Sequence, residues 1–566
     1  MNFSQLKLIN EMLSNQDRSK LKFFFGFYLT GMLLESFSIA LVIPFLHIIM
    51  QDNLTFLNFI PFDFNQLEKI EIISISLIII FIFFTLKTLF LVFVKFKEAK
   101  FLQNLHQSMS NRLFSTYLSL PYKFHLNTNS ANLIRNMSDV SHYIITIKSL
   151  MVLTIEFLIL FGLAFLLLFY EPKGTLTSLM VIGTTGYLFY LSYQKKIIIW
   201  GKKRQYFDGL RFQHLQQGFN SIKDIKIFDK AKKFLVSFSS SNYGSTSAAQ
   251  KQKFLANLPR LLLEWIAIVT IIIIILLVIK EKNEISLIIP TLGLFTAAAF
   301  RIMPSIARIM NESQQVKYSY PALKTLNENL KLKNHLRDPF QNNETQFNLN
   351  DKLYLKDVSY KYESSDKKIF RALNLEIEFG KSLGIHGDSG VGKSTLINLI
   401  CGLIEPSSGK IICSGRSIFQ SLNNWRKKIG YVPQNIYLTD DTLKSNIAFG
   451  KTDDEIDNDN LDYAVNGAQL NNFINQLKDG LNSKVGEFGS KLSGGQRQRI
   501  GIARALYRKP EILILDEATV SLDRDTEKNI LDEVFKLKGD KTLILISHNL
   551  NILQNCDKIF ELKRGN

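Results

Sequence analysis

Six apolar runs, each near twenty residues long, constrain this chain more than any other feature. They are approximately Phe23–Ile49, Ile72–Val94, Met151–Tyr170, Thr175–Tyr193, Leu261–Ile279 and Ile285–Met303. A helix rises ~1.5 Å per residue and the hydrocarbon core of a bilayer is ~30 Å thick, so ~20 apolar residues span it. The first run is too long for a cleavable signal peptide and lacks a small-residue cleavage pattern. All six runs end by Met303 of a 566-residue chain, and the remaining C-terminal part has the ordinary Gly, Asp, Lys and Glu content of a soluble α/β domain. The expected organisation is a helical transmembrane domain over 1–330, a polar linker over 331–351 and a soluble domain over 352–566, since 566 residues exceed one ordinary core.

Charge gives orientation. The formal net charge is +18. Lys7, Arg18, Lys20 and Lys22 precede the first run, whereas Asp52, Asp63, Glu68 and Glu71 come after it against a single Lys69. The 95–148 and 195–260 segments are again rich in Lys and Arg, and the turn between runs three and four is only about EPKG. Positive loops mark the cytoplasmic side, so both termini and the soluble domain are expected there. Topology thus accounts for much of the basic excess, and nucleic-acid binding is not expected. The three cysteines, Cys401, Cys413 and Cys556, all fall in the soluble half with no paired or metal-ligand spacing, which suits a reducing cytosol and argues against a disulfide framework or a zinc site. The two long inner segments lack Gly/Pro-rich breaks. Spans two to five are therefore expected to continue as helices into the cytosol, joined in pairs by short elements near 121–131 and 214–226.

The soluble part carries GDSGVGKST: Gly387, Asp388, Ser389, Gly390, Val391, Gly392, Lys393, Ser394 and Thr395. A short apolar stretch precedes it and an apolar-periodic one succeeds it, a strand–loop–helix pattern. Glycines let the backbone turn its N–H groups toward phosphate, and the helix start adds partial positive charge. Lys393 can reach the outer phosphates of a nucleotide and Ser394 can ligate Mg²⁺. Alone, this match could be a glycine turn before a helix. ILILDE, however, places Asp516 and Glu517 at the end of a buried strand, suited to hold Mg²⁺ and to polarise water. LSGGQ lies between the two motifs and opens a helix, so Ser493, Gly494, Gly495 and Gln496 form a second anion site.

In that order and combination, these motifs resemble the ATP-binding cassette (ABC) superfamily over the whole soluble part. The resemblance implies that Tyr362 stacks on adenine and that Gln434, in YVPQNIYL, senses the nucleotide and its Mg²⁺. It implies that Asp523 belongs to the D-loop and that His548 sits near the γ-phosphate. Ser394, Gln434 and Asp516 then form the metal set, and Glu517, His548 and Gln434 the catalytic set. Val520-Ser521 and Asn549 depart from the common pattern at positions outside the phosphate-binding roles. Because the signature loop of this family caps ATP held by a second nucleotide domain, a homodimer with two competent sites is expected. Six spans before the nucleotide domain resemble an exporter half-transporter, with the tips near 121–131 and 214–226 as coupling helices.

Cations inside the spans point to the cargo. Lys87 lies about 22 Å of helix beyond Ile72, and Arg301 about 24 Å beyond Ile285 at the end of an uncharged stretch, so both fall within a ~30 Å slab. Arg308 lies two turns on from Arg301 on the same face. Arg260 begins span five with Glu264 one turn deeper. One reading is snorkelling of Arg260, Arg308 and Lys87 to the cytoplasmic headgroups, with Glu264 pairing Arg260 and with Glu35 and Glu156 as packing partners. The other is a basic belt that grips a phosphate-rich headgroup. The Pro259-Arg260-x3-Glu264 and Arg301-x-MPS-x-x-Arg308 patterns, with Lys87 and YVPQNIYL, are similar to the PglK family of lipid-linked oligosaccharide flippases. That resemblance implies ATP-driven movement of a polyprenyl-pyrophosphate saccharide between leaflets of a bacterial inner membrane. In that family the first outer loop, here QDNLTFLNFIPFDFNQ, holds a short external helix; a plain interfacial segment reads equally well. The competing expectations on the same fold are a lipid A, phospholipid or multidrug exporter. A channel is disfavoured by the intact nucleotide motifs.

Overall fold

The computed structural model describes residues 3–41, 68–170, 172–280, 285–332, 352–363, 366–518 and 524–563, with single positions 45, 48, 347 and 349 between them. The loop at 50–67, most of the linker and Asp523 lie outside the described residues. The chain divides into two compact units, Met1–Leu120 with Thr128–His335, and Pro121–Asn127 with Leu336–Asn566.

The first unit is helical: α1 (Phe3–Met12), α2 (Asn15–Ala40), α3 (Lys69–Ser119), α5 (Ser130–Tyr170), α6 (Pro172–Asn220), α7 (Ile222–Ile227), α8 (Ala231–Lys280) and α9 (Ile285–Lys331); α4 (Tyr122–Asn127) belongs to the second unit. The apolar runs fall on α2, α3, α5, α6, α8 and α9. The last residues of the first run, beyond Ala40, lie largely outside the described residues. In lipid every backbone polar group must be paired within its own segment, which a helix accomplishes. Among the described residues, α2, α3 and α5 are long and apolar enough to cross a membrane. At 51 residues, α3 is about 77 Å long, more than twice the hydrocarbon thickness, so it continues well beyond the slab.

Helix α5 shows how the sequence chooses its faces. Tyr143, Ile147, Met151, Ile155, Ile159, Leu163 and Leu167 recur at four-residue spacing and are all buried. Phe157, Phe161, Phe165 and Phe169 recur at the same spacing on another face and are all exposed. A helix sets residues four apart on one face, so the first stripe packs against neighbours and the second forms an apolar ridge. Such a ridge is a liability in water and a lipid-facing surface in a membrane. Outside the apolar runs the helices are held by buried ion pairs. Arg204 of α6 meets Asp139 of α5 at 3.4 Å and Asp208 at 3.2 Å, and Ser245 of α8 donates to Asp208 at 2.7 Å.

The second unit contains two sheets. The four-stranded antiparallel sheet has the order β2-β1-β4-β5, from β1 (Lys352–Lys361), β2 (Lys368–Glu378), β4 (Ser408–Cys413) and β5 (Arg416–Ser417). The five-stranded parallel sheet has the order β6-β7-β8-β3-β9, from β3 (Ser382–His386), β6 (Ile429–Val432), β7 (Ile512–Asp516), β8 (Thr542–Ile546) and β9 (Lys558–Glu561). Every residue of β7 and β8 is buried, as expected of central parallel strands covered on both faces. Trp425 is fully buried between the sheets' core residues, and its indole N–H donates to the Ile400 carbonyl at 2.7 Å.

Candidate functional sites

The nucleotide-type site assembles at the C-terminal ends of β3, β7 and β8, where open parallel sheets place ligands. From β3 the chain enters the glycine loop and then α10 (Lys393–Ile400). Gly390 and Gly392 have φ of +77° and +115°, which only glycine adopts without strain. The loop therefore curls back on itself. Lys393, buried, donates to the carbonyls of Gly387 at 2.8 Å and Asp388 at 3.3 Å, and its Nζ lies 3.2 Å from His548 Nε2. Ser394 is exposed beside it at the start of the helix.

Strand β7 ends on Asp516, which is buried and accepts from the Tyr431 hydroxyl at 3.2 Å. Burial, with Glu517 beside it, holds the Asp516 carboxyl above its ordinary value, and burial likewise raises the Tyr431 hydroxyl. Glu517 adopts φ +49°, and its N–H donates to the Ile546 carbonyl at 3.0 Å. This strained backbone turns its carboxylate between two side chains. Gln434 donates to Glu517 Oε2 at 2.6 Å, and His548 Nε2 lies 2.8 Å from Glu517 Oε1. The three residues assigned to catalysis from sequence thus converge on one carboxylate. Tyr362 and Thr395 share a hydroxyl hydrogen bond at 3.0 Å. Ser493 caps α11 (Gly494–Tyr507) in a reciprocal box: its hydroxyl accepts from the Gln496 N–H, and the Gln496 side chain accepts from the Ser493 N–H. Tyr431 was not singled out from sequence, because only the β6–β7 pairing brings it to Asp516. A buried carboxylate beside a lysine, a serine hydroxyl and helix-start N–H groups is a donor set that fits a nucleoside triphosphate with Mg²⁺.

The second site lies in the first unit. Lys87 and Glu35, both buried, pair at 3.4 Å between α3 and α2. Arg301 of α9 meets Glu35 at 3.3 Å and Glu156 of α5 at 3.8 Å, while Arg308 holds Glu156 through two contacts at 2.6 and 3.3 Å. Ser38 receives a hydrogen bond from Lys87 at 3.3 Å, and Ser305 receives one from Arg301 at 3.1 Å. Three of the four cations singled out from sequence therefore join in one chain of alternating charge across four helices. The fourth is not brought there: the Arg260 side chain is 80% exposed and pairs along its own helix with Glu264 at 3.0 Å. The cations are also not bare. Two carboxylates offset three positive groups and leave one formal positive charge in excess. Ser38 and Ser305 went unread in the sequence; each stands one helical turn from a cluster member, which is the signal that could have found them.

Fold and site together define a helical membrane region followed by a P-loop nucleotide-binding domain of the ABC type. Residues 370–520 match the ABC transporter family model. Over its whole fold the chain is similar to a solved bacterial Atm1-family ABC exporter with ATP bound, with a TM-score of 0.80 at 20% identity, covering 97% of this chain and 94% of that one. Among curated proteins, it is 40% identical over 212 residues to the ATP-dependent lipid A-core flippase of Vibrio parahaemolyticus, covering 37% of this chain and 36% of that one. It is 32% identical over 301 residues to the lipid A-core flippase of Photobacterium profundum, covering 53% and 51% respectively. It is 34% identical over 289 residues to multidrug resistance protein 1 of Entamoeba histolytica, covering 50% and 22%. The matches thus span about half or less of each of these relatives. The relatives named here carry lipid A-core flippase and multidrug-protein names, which neither name nor overturn the oligosaccharide cargo expected from sequence.

Proposed function

We propose that this chain is one half of a homodimeric, ATP-hydrolysing flippase of a bacterial inner membrane, and that its cargo is a lipid carrying a phosphorylated saccharide headgroup, specifically a polyprenyl-pyrophosphate-linked oligosaccharide. The observation that carries the cargo reading is the Lys87–Glu35–Arg301–Glu156–Arg308 cluster. Charged side chains within membrane-crossing helices are costly and mark substrate paths. Two arginines offer the fork geometry that suits phosphate oxygens, and the excess positive charge favours an anion over a lipophilic cation.

The motor reading rests on the first site. The loop amides and Lys393 bind the phosphates, Tyr362 packs on the base, and Ser493 with the helix start behind it caps a nucleotide held by the partner. Ser394, Gln434 and Asp516 would hold Mg²⁺, which supplies charge neutralisation to the outer phosphates. Glu517, fixed by Gln434 and His548, orients and polarises water for in-line attack; phosphoryl transfer of this kind depends on positioning and charge rather than a covalent intermediate. The short helices α4 and α7 are the proposed coupling elements. In support, Lys123 and Asn127 of α4 bind Glu363 at 2.7 and 3.3 Å within the second unit.

The decisive experiment is reconstituted flipping of a fluorescent lipid-linked oligosaccharide. Arg301→Ala with Arg308→Ala should abolish flipping while basal ATP hydrolysis survives; normal flipping in the double variant overturns the reading. A second reading, a lipid A-core exporter, is favoured by the named relatives. Stimulation of ATP hydrolysis by lipid A and not by the polyprenyl-pyrophosphate saccharide would select it.

A further inference from the structure

A cavity of about 310 Å³ opens between α2 and α3, lined by Lys20, Phe23, Phe24, Phe27, Phe93, Lys97, Lys100, Phe101 and Asn104. It is separate from the buried cation cluster and owes nothing to the nucleotide site. Its walls divide by chemistry. Phe27 packs edge-on against Phe23 at 4.8 Å and Phe93 at 6.0 Å, and Phe24 packs on Phe101 at 5.5 Å. The aromatic floor is therefore continuous across both helices. Phe24 and Phe101 are buried, whereas Phe23 and Phe93 stay exposed at 67% and 46%, so the floor is open to its surroundings.

The lysines sit at one end. In α2 the apolar run begins at Phe23, directly after Lys20 and Lys22. In α3 it ends at Val94, directly before Lys95, Lys97 and Lys100. The two helices bring both junctions to one level, which by the positive-inside rule is the cytoplasmic interface. Lys95 is taken by Glu98 at 2.8 Å, and Lys97 lies over the Phe93 ring at 5.3 Å. Among the described residues, Lys20, Lys97 and Lys100 form no ion pair with a carboxylate.

We propose that this groove binds one anionic phospholipid of the cytoplasmic leaflet, with its phosphate on Lys20, Lys97 and Lys100 and the start of an acyl chain on the phenylalanine floor. Charge complementarity selects this occupant. A soluble anion has no use for the apolar floor, and an apolar molecule has none for three lysines. Lysines are compact point charges suited to a single headgroup phosphate, unlike the arginine forks of the buried cluster. Basic residues at this level attract anionic lipid, and the cavity falls at the lower end of the ~300–1,000 Å³ range of small-molecule sites.

The test is native mass spectrometry of the purified full-length protein titrated with phosphatidylglycerol or phosphatidylcholine. One phosphatidylglycerol per protomer should be retained, and phosphatidylcholine should not. The triple variant Lys20→Gln, Lys97→Gln, Lys100→Gln should weaken retention tenfold or more. Lys202→Gln with Lys203→Gln and Lys324→Gln, an equal charge change at exposed positions elsewhere, should leave it unchanged. Phe27→Ala should weaken retention with every lysine intact. Equal retention of both lipids, equal loss in the two triple variants, or no added lipid bound would overturn the proposal. So would loss of oligosaccharide flipping in the first triple variant together with displacement of phosphatidylglycerol by a polyprenyl pyrophosphate, which would make the groove a cargo entrance. The nucleotide site and the buried cluster are untouched by these variants, so failure here leaves the flippase reading standing.

Discussion

Glu156→Gln isolates the balance between fold and cargo in the buried cluster. Glu156 is 7% exposed at its side chain and is the shared partner of Arg308 at 2.6 Å and Arg301 at 3.8 Å. Breaking a buried pair by removing one member costs about 3–5 kcal/mol, because the other charge stays behind unpaired. Here Arg301 retains Glu35, and the Arg308 side chain is 43% exposed, so water takes over part of the loss. A cost of about 2 kcal/mol is the expected remainder. Thermal unfolding of the detergent-solubilised protein should therefore shift down by several degrees. The same substitution removes the internal carboxylate that competes with cargo phosphate for both guanidinium groups. If half of that cost was competition, about 1 kcal/mol, the concentration of polyprenyl-pyrophosphate saccharide that half-stimulates ATP hydrolysis should fall about fivefold. The assay is stimulated ATP turnover in proteoliposomes across a substrate titration. Lower stability with unchanged half-stimulation would show that the arginines serve packing alone, and would refute the counter-ion argument.

Glu517→Gln keeps the shape between Gln434 and His548 but removes the charge that polarises water, so turnover should fall about 10²–10⁴-fold while ATP binding persists; normal hydrolysis by the purified variant would sink the assignment. Gly392→Ala should cost about 2 kcal/mol, roughly thirtyfold in nucleotide affinity by fluorescent-nucleotide titration. The position has φ +115°, and a Cβ would stand 2.6 Å from Ile369 Cγ2 and 3.0 Å from Phe370 Cζ. Asp557 accepts from Lys538 at 2.6 Å and from the Ser382 N–H and hydroxyl at 2.8 Å each, and the Lys538 bond leads in holding its carboxyl down at about 2, below the ordinary 3.8. A depressed carboxylate stabilises the fold above its unfolded value and loses that contribution as pH falls toward the folded one. The thermal advantage of wild type over Asp557→Asn, about 1 kcal/mol because water screens this partly exposed pair, should hold from about pH 7 to 5 and shrink below about pH 4; an advantage independent of pH would contradict it.

What the sequence could and could not show divides along a physical line. The helices α3, α5, α6 and α8 were readable because lipid forces their apolar runs to be helical, and because the polar continuations contain no breaks. The glycine loop and the strand ending in Asp516 and Glu517 were readable because phosphate and Mg²⁺ demand those residues at those spacings. Partners across elements were not readable. Nothing in the spacing of Gln434, Glu517 and His548 says that one carboxylate receives both other side chains; the parallel registry of β6, β7 and β8 makes it so. The span cations show the same boundary from the other side. Depth along each helix was legible from the rise per residue, and it put Lys87 and Arg301 in the slab. Azimuth relative to other helices was not, and it decides that Lys87, Arg301 and Arg308 meet Glu35 and Glu156 while Arg260 turns outward to Glu264. A row of cations read along a chain is therefore only an upper bound on the positive charge a ligand meets. The field at this cluster is set by the difference between its arginines and lysine and the carboxylates that the fold delivers to them, and that difference is what an incoming phosphate must exploit.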